Sequence, residues 1–101
     1  MKVLWTLQAV DDLTSIRDYI ARDSQAYARL ITEQLFASVG QLAKYPDSGR
    51  IVPERNSPEI RELIRAPYRI IYRRSFEAVA ILTIHHSARQ LPGQIPGENT
   101  A

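Results

Sequence analysis

Arginine is the side chain of this sequence best suited to binding chemistry, and it is concentrated in one half of the chain. All eight basic residues of positions 50–101 are arginines, against five acidic residues. The planar guanidinium group donates hydrogen bonds in a fork that fits phosphate or carboxylate oxygens. We therefore expect a charged target for the arginines of the second half, with a solvated cationic face as the alternative that the same composition allows. The candidate target-binding residues are Arg61, Arg69, Arg73 and Arg89.

The two histidines, His85 and His86, are the other candidates for chemistry. They are consecutive, and consecutive side chains of a strand point to opposite faces, so we do not expect both to line one site. Neither belongs to a cluster with the spacing of metal ligands. The chain also contains no cysteine. The sequence therefore predicts no metal site and no cofactor.

The segment 61–73 must position most of these arginines, and it has the pattern of a β-hairpin. Two runs rich in isoleucine, leucine and tyrosine flank 66–67, where a proline fixes φ and cannot donate a ladder hydrogen bond. On the second arm, alternation places Tyr68, Ile70 and Tyr72 on one face and the arginines on the other. One face of this hairpin is thus predicted to be apolar and the other cationic.

The remaining segments predict an α+β fold. Apolar residues recur at helical spacing from residue 7 and again over 25–44, and the short join between the two stretches predicts an antiparallel helical hairpin. Strands are predicted at 2–5, 50–53 and 78–86, besides the two arms of the hairpin. We therefore expect an N-terminal strand and a helical hairpin packed on one face of a mainly antiparallel sheet.

The strand at 78–86 is apolar on both sides, so both faces of the sheet need cover. Val79 and Ile81 are expected to point one way, and Leu82 and Ile84 the other. The helical hairpin can cover only one face. The stretch that follows is broken by prolines and glycines, so we expect a domain over 1–92 and a flexible tail over 93–101. An exposed apolar patch is therefore predicted, to be covered by a partner, with partial cover by loops of the chain as the alternative.

The order of these segments, together with several short sequence motifs, resembles the RelE/ParE superfamily of toxins from toxin–antitoxin pairs. The resemblance is closer to the ParE branch, whose members are implied to inhibit DNA gyrase and so replication. It implies a protein that is neutralised by an antitoxin, which is expected to fold on binding. Because the sequence shows no pattern of a signal peptide and no segment of membrane-spanning length, we expect a cytoplasmic protein. The residues and motifs that carry the resemblance are Ala9, Asp12-Leu13, Ile16–Ile20, Leu42, Pro46, Gly49-Arg50, Val52-Pro53-Glu54, Arg61-Glu62-Leu63, Tyr68–Tyr72 and His86–Arg89. The residues expected to contact the antitoxin are Ile71, Val79, Ile81, Leu82 and Ile84.

The RelE branch implies an alternative function, ribosome-dependent cleavage of messenger RNA. Cleavage through the 2′-hydroxyl needs a proton acceptor, a proton donor and cations on the scissile phosphate. The candidates are Glu54, His86 or His85, Arg69 and Arg89. Structural roles are the alternative: Arg69 can pair with Glu62 across the hairpin, and Glu54 can hold Arg50 or Arg89 in place. However, no aromatic residue follows Phe76 and the chain has only two lysines, which departs from the ribonucleases of this superfamily. An inhibitor is therefore favoured over an enzyme; direct nucleic-acid binding and a non-toxic, antitoxin-binding module stay open.

Overall fold

The computed structural model describes residues 1–99, which form one mixed sheet and a pair of helices. The strand order is β1-β5-β4-β3-β2, with β1 parallel to β5 and the other neighbours antiparallel. The predicted α+β class is confirmed. The elements are β1 (Lys2–Trp5), α1 (Leu7–Ala21), α2 (Gln25–Gly40), a 3-10 turn (Gln41–Ala43), β2 (Arg50–Ile51), β3 (Ile60–Arg65), β4 (Tyr68–Arg74) and β5 (Ala78–His86).

Hydroxyl side chains start both helices. The Thr6 hydroxyl accepts a hydrogen bond from the Ala9 N–H, and the Ser24 hydroxyl accepts one from the Tyr27 N–H, so each satisfies an orphan donor of the first turn. The two helices lie side by side on one face of the sheet, where Leu35 is among the buried residues. None of the helices within residues 1–99 combines the length and the apolar character needed to cross a membrane.

The helix-covered face of the sheet contains Val79 and Ile81 together, as predicted, but it also contains Ile84. The prediction that Ile84 points away from them was wrong. Strand β5 carries a bulge: Ile71 of β4 pairs with Thr83, whereas the next residue pairs with Ile81. The extra residue in β5 shifts the alternation by one position, so Ile84 returns to the helix side.

The opposite face is not exposed, and the prediction of a large uncovered patch was wrong. Leu91 and Ile95, only 8% and 1% exposed, pack there in a second apolar cluster that includes Ile71 and Leu82. Arg55 fixes this segment by donating to the Pro92 carbonyl (2.6 Å) and to the Glu98 carboxylate (2.5 Å). Part of the expected flexible tail, 93–98, is therefore packed on the sheet; positions 100 and 101 lie outside the described residues.

All five residues expected to contact the antitoxin are buried within the chain, at 0–4% exposure. They therefore do not form a ready docking surface. Val79, Ile81 and Ile84 are buried under the helices, whereas Ile71 and Leu82 are covered by Leu91 and Ile95, in the segment that the hydrogen bonds of Arg55 hold on the sheet.

Candidate functional site

The densest cluster of charged side chains surrounds Arg69 on β4. Its Nε donates to Glu62 Oε1 at 2.6 Å, while Nη1 and Nη2 donate to the two carboxylate oxygens of Glu54 at 2.8 and 2.9 Å. Arg50 donates to the second oxygen of Glu62 at 2.8 Å. The side chains of Arg69 and Glu62 are 10% and 0% exposed. We call these four residues the Arg69 network.

Strand register brings the network together. Glu62 of β3 lies opposite Ile71 of β4, so it shares a face with Arg69 two residues earlier and meets it diagonally. Glu54 comes from a tight turn in which the N–H groups of Arg55 and Asn56 both bond to the carbonyl of residue 52. Two strands and one turn thus fix the two carboxylates around a single guanidinium group.

The electrostatics of the network stabilise the charged forms of Glu54 and Arg69. The hydrogen bonds from Arg69 are the main reason that the pKa of Glu54 falls from 4.5 to about 2. The same bonds to Glu54 raise the pKa of Arg69, with Glu62 adding to the effect. Arg69 therefore spends its charge on two carboxylates of the chain itself, and its contact with an outside target stays a prediction. The alternative pairing with Glu62 occurs, but it is buried and reinforced by Glu54.

The candidate target-binding arginines do not form one surface, although Arg73 lies on the same face of the sheet as Arg69. Arg61 pairs with a residue of the helix-covered face, and its Nη1 donates to the Gly49 carbonyl at 3.0 Å. Arg73 lies on the tail-covered side and donates to the Gly97 carbonyl at 3.3 Å. Arg89 follows β5 and is exposed. Within residues 1–99, neither Arg73 nor Arg89 has an acidic partner in an ion pair.

Both histidines and Arg89 line a groove of about 690 Å³ along the end of β5. His86 packs edge-on against Tyr68, with 5.6 Å between ring centroids, and its Nδ1 accepts from the Ala88 N–H. His85 Nε2 lies 3.0 Å from the Arg89 carbonyl oxygen. The prediction that the two histidines cannot line one site was wrong, because the groove runs around the strand end. Neither Glu54 nor any other member of the Arg69 network lines it.

The sequence interpretation missed the role of Asp12 in this groove. Strand β1 ends opposite Ile81, so the outer edge of β5 is open beyond that point. Asp12 on α1 closes it by accepting hydrogen bonds from the Ile84 N–H and from the Thr83 hydroxyl. In the sequence, Asp12 stands out only as part of the Asp12-Leu13 motif of the family resemblance. The length mismatch between a four-residue β1 and a nine-residue β5 is the signal that could have revealed an edge in need of cover.

The helical hairpin on a five-stranded sheet with a parallel N-terminal edge strand matches the fold expected for the RelE/ParE superfamily. Within residues 1–99, no group of three or more histidine, cysteine or acidic side chains is placed to hold a metal. The chain belongs to the ParE toxin family of type II toxin–antitoxin systems, which it matches over residues 3–91. It is thus the toxin of such a system, and the family supports the predicted antitoxin partner.

Named relatives agree with this assignment. "Toxin RelE2" of Caulobacter vibrioides is 38% identical over 89 residues, which covers 87% of this chain and 97% of that protein. "Putative toxin Y4kP" of Sinorhizobium fredii is 40% identical over 93 residues, with coverages of 90% and 93%. The solved "Chromosomal ParDE TA system from P. aeruginosa" contains a chain with a TM-score of 0.70 and 26% identity, covering 85% of this chain and 95% of that one.

Proposed function

We propose that this toxin arrests growth by binding DNA gyrase and blocking replication, without a catalytic step of its own. The resemblance to the ParE branch supplies the target. One structural observation supports the choice over RNA cleavage: Glu54 and Arg69, which a ribonuclease mechanism would need, are both held in the Arg69 network. Each of them is poorly suited to the catalytic role for a separate physical reason.

Glu54 is a weak proton acceptor at neutral pH. A general base works best when its pKa lies near the working pH, and the pKa of Glu54 is about 2. Both of its carboxylate oxygens also accept hydrogen bonds from Arg69, so neither is free to take the proton of a 2′-hydroxyl. Among the described residues, Asp12 is the carboxylate that lines the groove beside His85 and His86, and it is held by Thr83 and Ile84.

Arg69 is equally ill placed to stabilise a scissile phosphate. Its side chain is buried, and three of its donors are used within the chain. Turning it towards a phosphate would leave the buried Glu62 carboxylate with Arg50 as its remaining cation. Removing one partner from a buried ion pair costs about 3–5 kcal/mol. The network therefore favours a structural role for Arg69 and argues against the ribonuclease set.

The arginines that fit the proposal best are Arg73 and Arg89. Neither forms an ion pair within residues 1–99, whereas Arg61 pairs with Asp47, and Arg69 pairs with Glu54 and Glu62. An exposed guanidinium group without a carboxylate partner can bind an acidic protein surface or a phosphate at little cost in lost internal contacts. Arg89 is therefore the first residue to test for contact with gyrase.

The test is ATP-dependent supercoiling of relaxed plasmid by purified gyrase, titrated with the toxin freed of antitoxin. We expect supercoiling to fall and cleaved DNA to accumulate. Arg89→Gln should weaken inhibition, whereas Arg29→Gln should not, because Arg29 is also exposed and without an ion-pair partner in residues 1–99 but lies on α2. Unchanged supercoiling at excess toxin would sink the proposal for the gyrase tested.

A parallel assay separates the alternatives. Messenger RNA translated on purified ribosomes should remain intact in the presence of the toxin. If the toxin cleaves it, and His86→Ala abolishes the cleavage, the ribonuclease function replaces the proposal. His86 is suitable for this purpose because it is exposed and its removal leaves the Arg69 network untouched. If the protein neither inhibits supercoiling nor cleaves messenger RNA, and cells that express it grow normally, the result would indicate a non-toxic antitoxin-binding module.

A further inference from the structure

We infer that the end of the sheet that carries the β4–β5 turn binds single-stranded nucleic acid, through cations for its phosphates and exposed aromatic rings for its bases. This end of the sheet is called the two-turn surface, and its residues are Lys2, Lys44, Tyr45, Arg61, Arg74 and Phe76. It lies at the start of β5, whereas the histidines and Arg89 lie at the end of that strand, so it is separate from the ribonuclease candidates. The inference goes beyond the gyrase target and does not depend on it.

Contacts between segments far apart in the chain build the two-turn surface. The amino group of Met1 donates to the Ala43 carbonyl at 2.9 Å, which joins the start of β1 to the stretch that follows α2. That stretch continues into a tight turn over 45–48, and Arg74 at the end of β4 donates to Asp47 of this turn at 2.8 Å. Strand β1 begins beside the first residue of β5. The 45–48 turn, the β4–β5 turn and the start of β1 therefore share one end of the sheet.

The positive charge of the chain is concentrated at this end. Four segments that meet there contain five basic and three acidic side chains, so they account for the whole formal net charge of +2. The segments are 1–2, 44–49, 59–61 and 73–77. Lys2 and Lys44 are exposed, and neither forms an ion pair within residues 1–99. Phosphates can therefore bind both ammonium groups without breaking an internal ion pair.

Hydrogen-bond donors exceed acceptors beside these lysines. The Nε atoms of Arg61 and Arg74 lie 3.9 and 2.8 Å from Oδ1 of Asp47, so one exposed carboxylate serves two guanidinium groups. The Nε of Arg61 is buried and has no hydrogen-bond acceptor within residues 1–99. Such an unsatisfied donor is rare in a folded protein. An oxyanion beside Asp47 would supply further acceptors for this pair of guanidinium groups.

Two exposed aromatic rings favour unpaired bases as part of the ligand. Phe76, in the β4–β5 turn, is 91% exposed, and Tyr45 is 58% exposed. The ammonium group of Lys44 lies 5.9 Å from the centroid of the Tyr45 ring. A ring beside a cation matches a nucleotide, whose base stacks and whose phosphate carries the negative charge. The bases of a duplex already stack on one another, and an acidic protein surface would use the cations alone, so a single strand fits this surface best.

The experiment measures the Kd of the full-length toxin, freed of antitoxin, for a fluorescent oligothymidylate of about 15 nucleotides by anisotropy. Tyr45→Ser and Phe76→Ser should each weaken binding at least about fivefold, which corresponds to the loss of one stacked base. Tyr19→Ser is the matched control, because Tyr19 is 69% exposed but lies on α1 near the β3–β4 turn, and its Kd should equal that of the parent. Thermal unfolding of each variant verifies that the fold is retained.

Salt dependence provides a second test, directed at the phosphates. Lys44→Gln should weaken binding and reduce the slope of log Kd against log salt concentration by about 0.7, the value for one phosphate contact to a single strand. Arg29→Gln should change neither quantity, because it removes an exposed charge on α2, outside the two-turn surface.

Three results would overturn the inference. The first is a parent toxin that does not bind the oligonucleotide at about 50 mM salt. The second is a Tyr45→Ser/Phe76→Ser double variant that binds as tightly as Tyr19→Ser. The third is polyglutamate that binds as tightly as the oligonucleotide, since the surface would then recognise an acidic protein. None of these measurements contains gyrase, so a failure here is distinguishable from a failure of the gyrase target.

Discussion

Arg69→Met should destabilise the fold far more than Arg50→Met, although both arginines bind the same carboxylate. Arg69 reaches Glu62 Oε1 from within the chain, with a side chain that is 10% exposed. Arg50 reaches Oε2 from solvent, with a side chain that is 61% exposed. The pair of substitutions thus compares a buried with an exposed ion pair on one acceptor, and methionine keeps an unbranched side chain at each position.

The magnitude follows from what each substitution leaves behind. Without Arg69, the fully buried Glu62 keeps only its bond to Arg50, and removing a partner from a buried pair costs about 3–5 kcal/mol. Glu54 adds less, because its side chain is 42% exposed and water can hydrate it. Without Arg50, the loss is that of an exposed pair, at most about 1 kcal/mol. A domain of this size has about 5–15 kcal/mol in total, so the first substitution removes a large part of it.

Denaturant and thermal unfolding followed by circular dichroism measure the difference. At about 4–8 °C per kcal/mol, Arg69→Met should lower Tm by at least about 12 °C, and Arg50→Met by less than about 8 °C. A double variant, Arg69→Met with Glu62→Leu, should recover part of the loss, because replacing a whole buried pair by apolar side chains is often neutral. Equal losses for the two single variants would refute the distinction between buried and exposed partners. A double variant less stable than Arg69→Met would refute the claim that an unpaired Glu62 is the main cost.

Three further predictions concern packing and pH. Gly49→Ala should destabilise the fold by at least about 1–3 kcal/mol, the usual cost of overpacking, because a Cβ would lie 2.6 Å from a backbone oxygen and from a tyrosine hydroxyl. The control is Gly40→Ala in α2, whose Cβ would meet nothing within 4 Å. In the same unfolding assay this control should be neutral or stabilising. Ile95→Ala should lower the free energy of unfolding by about 2–5 kcal/mol and increase the binding of a hydrophobic dye. Ile51→Ala is the control and should do neither, because Ile51 is 38% exposed. A dye signal of Ile95→Ala equal to that of the parent would contradict the packing of the tail. Glu54 has a folded pKa of about 2, below its ordinary value of 4.5, so its contribution should be full above pH 4.5 and lost as the pH falls towards 2; stability that is flat across this window would exclude it.

The elements of the fold could be predicted from local signals. Thr6 and Ser24 stand before apolar stretches at helical spacing, and both cap a helix as such residues do. The proline at position 67 lies in the β3–β4 turn, where its fixed φ and missing donor are tolerated. These features depend on neighbours within a few positions of the sequence. Element type, order and the main helix-covered face were therefore predictable.

The features that the sequence interpretation missed depend on residues far apart in the chain. The bulge at Leu82 is a property of the pairing between two strands, and neither strand signals it alone. The cover of the second face needs Arg55 to hold Glu98, 43 positions away. Pro92, Gly93, Pro96 and Gly97 suggested disorder because prolines and glycines break regular structure, but packing two apolar side chains on a sheet requires no regular structure.

The Arg69 network also changes how loss of toxicity by mutation must be interpreted. Arg69→Ala would lower activity under the ribonuclease hypothesis by removing a catalytic cation, and under the gyrase proposal by destabilising the fold of the toxin. That substitution therefore cannot separate the two. Arg89 and His86 can, because both are exposed and contribute no contact to the network. Arginines that look equivalent in the sequence differ greatly in burial. The residues to be mutated in order to separate the two targets must therefore be chosen by the contacts that each one already makes within the chain.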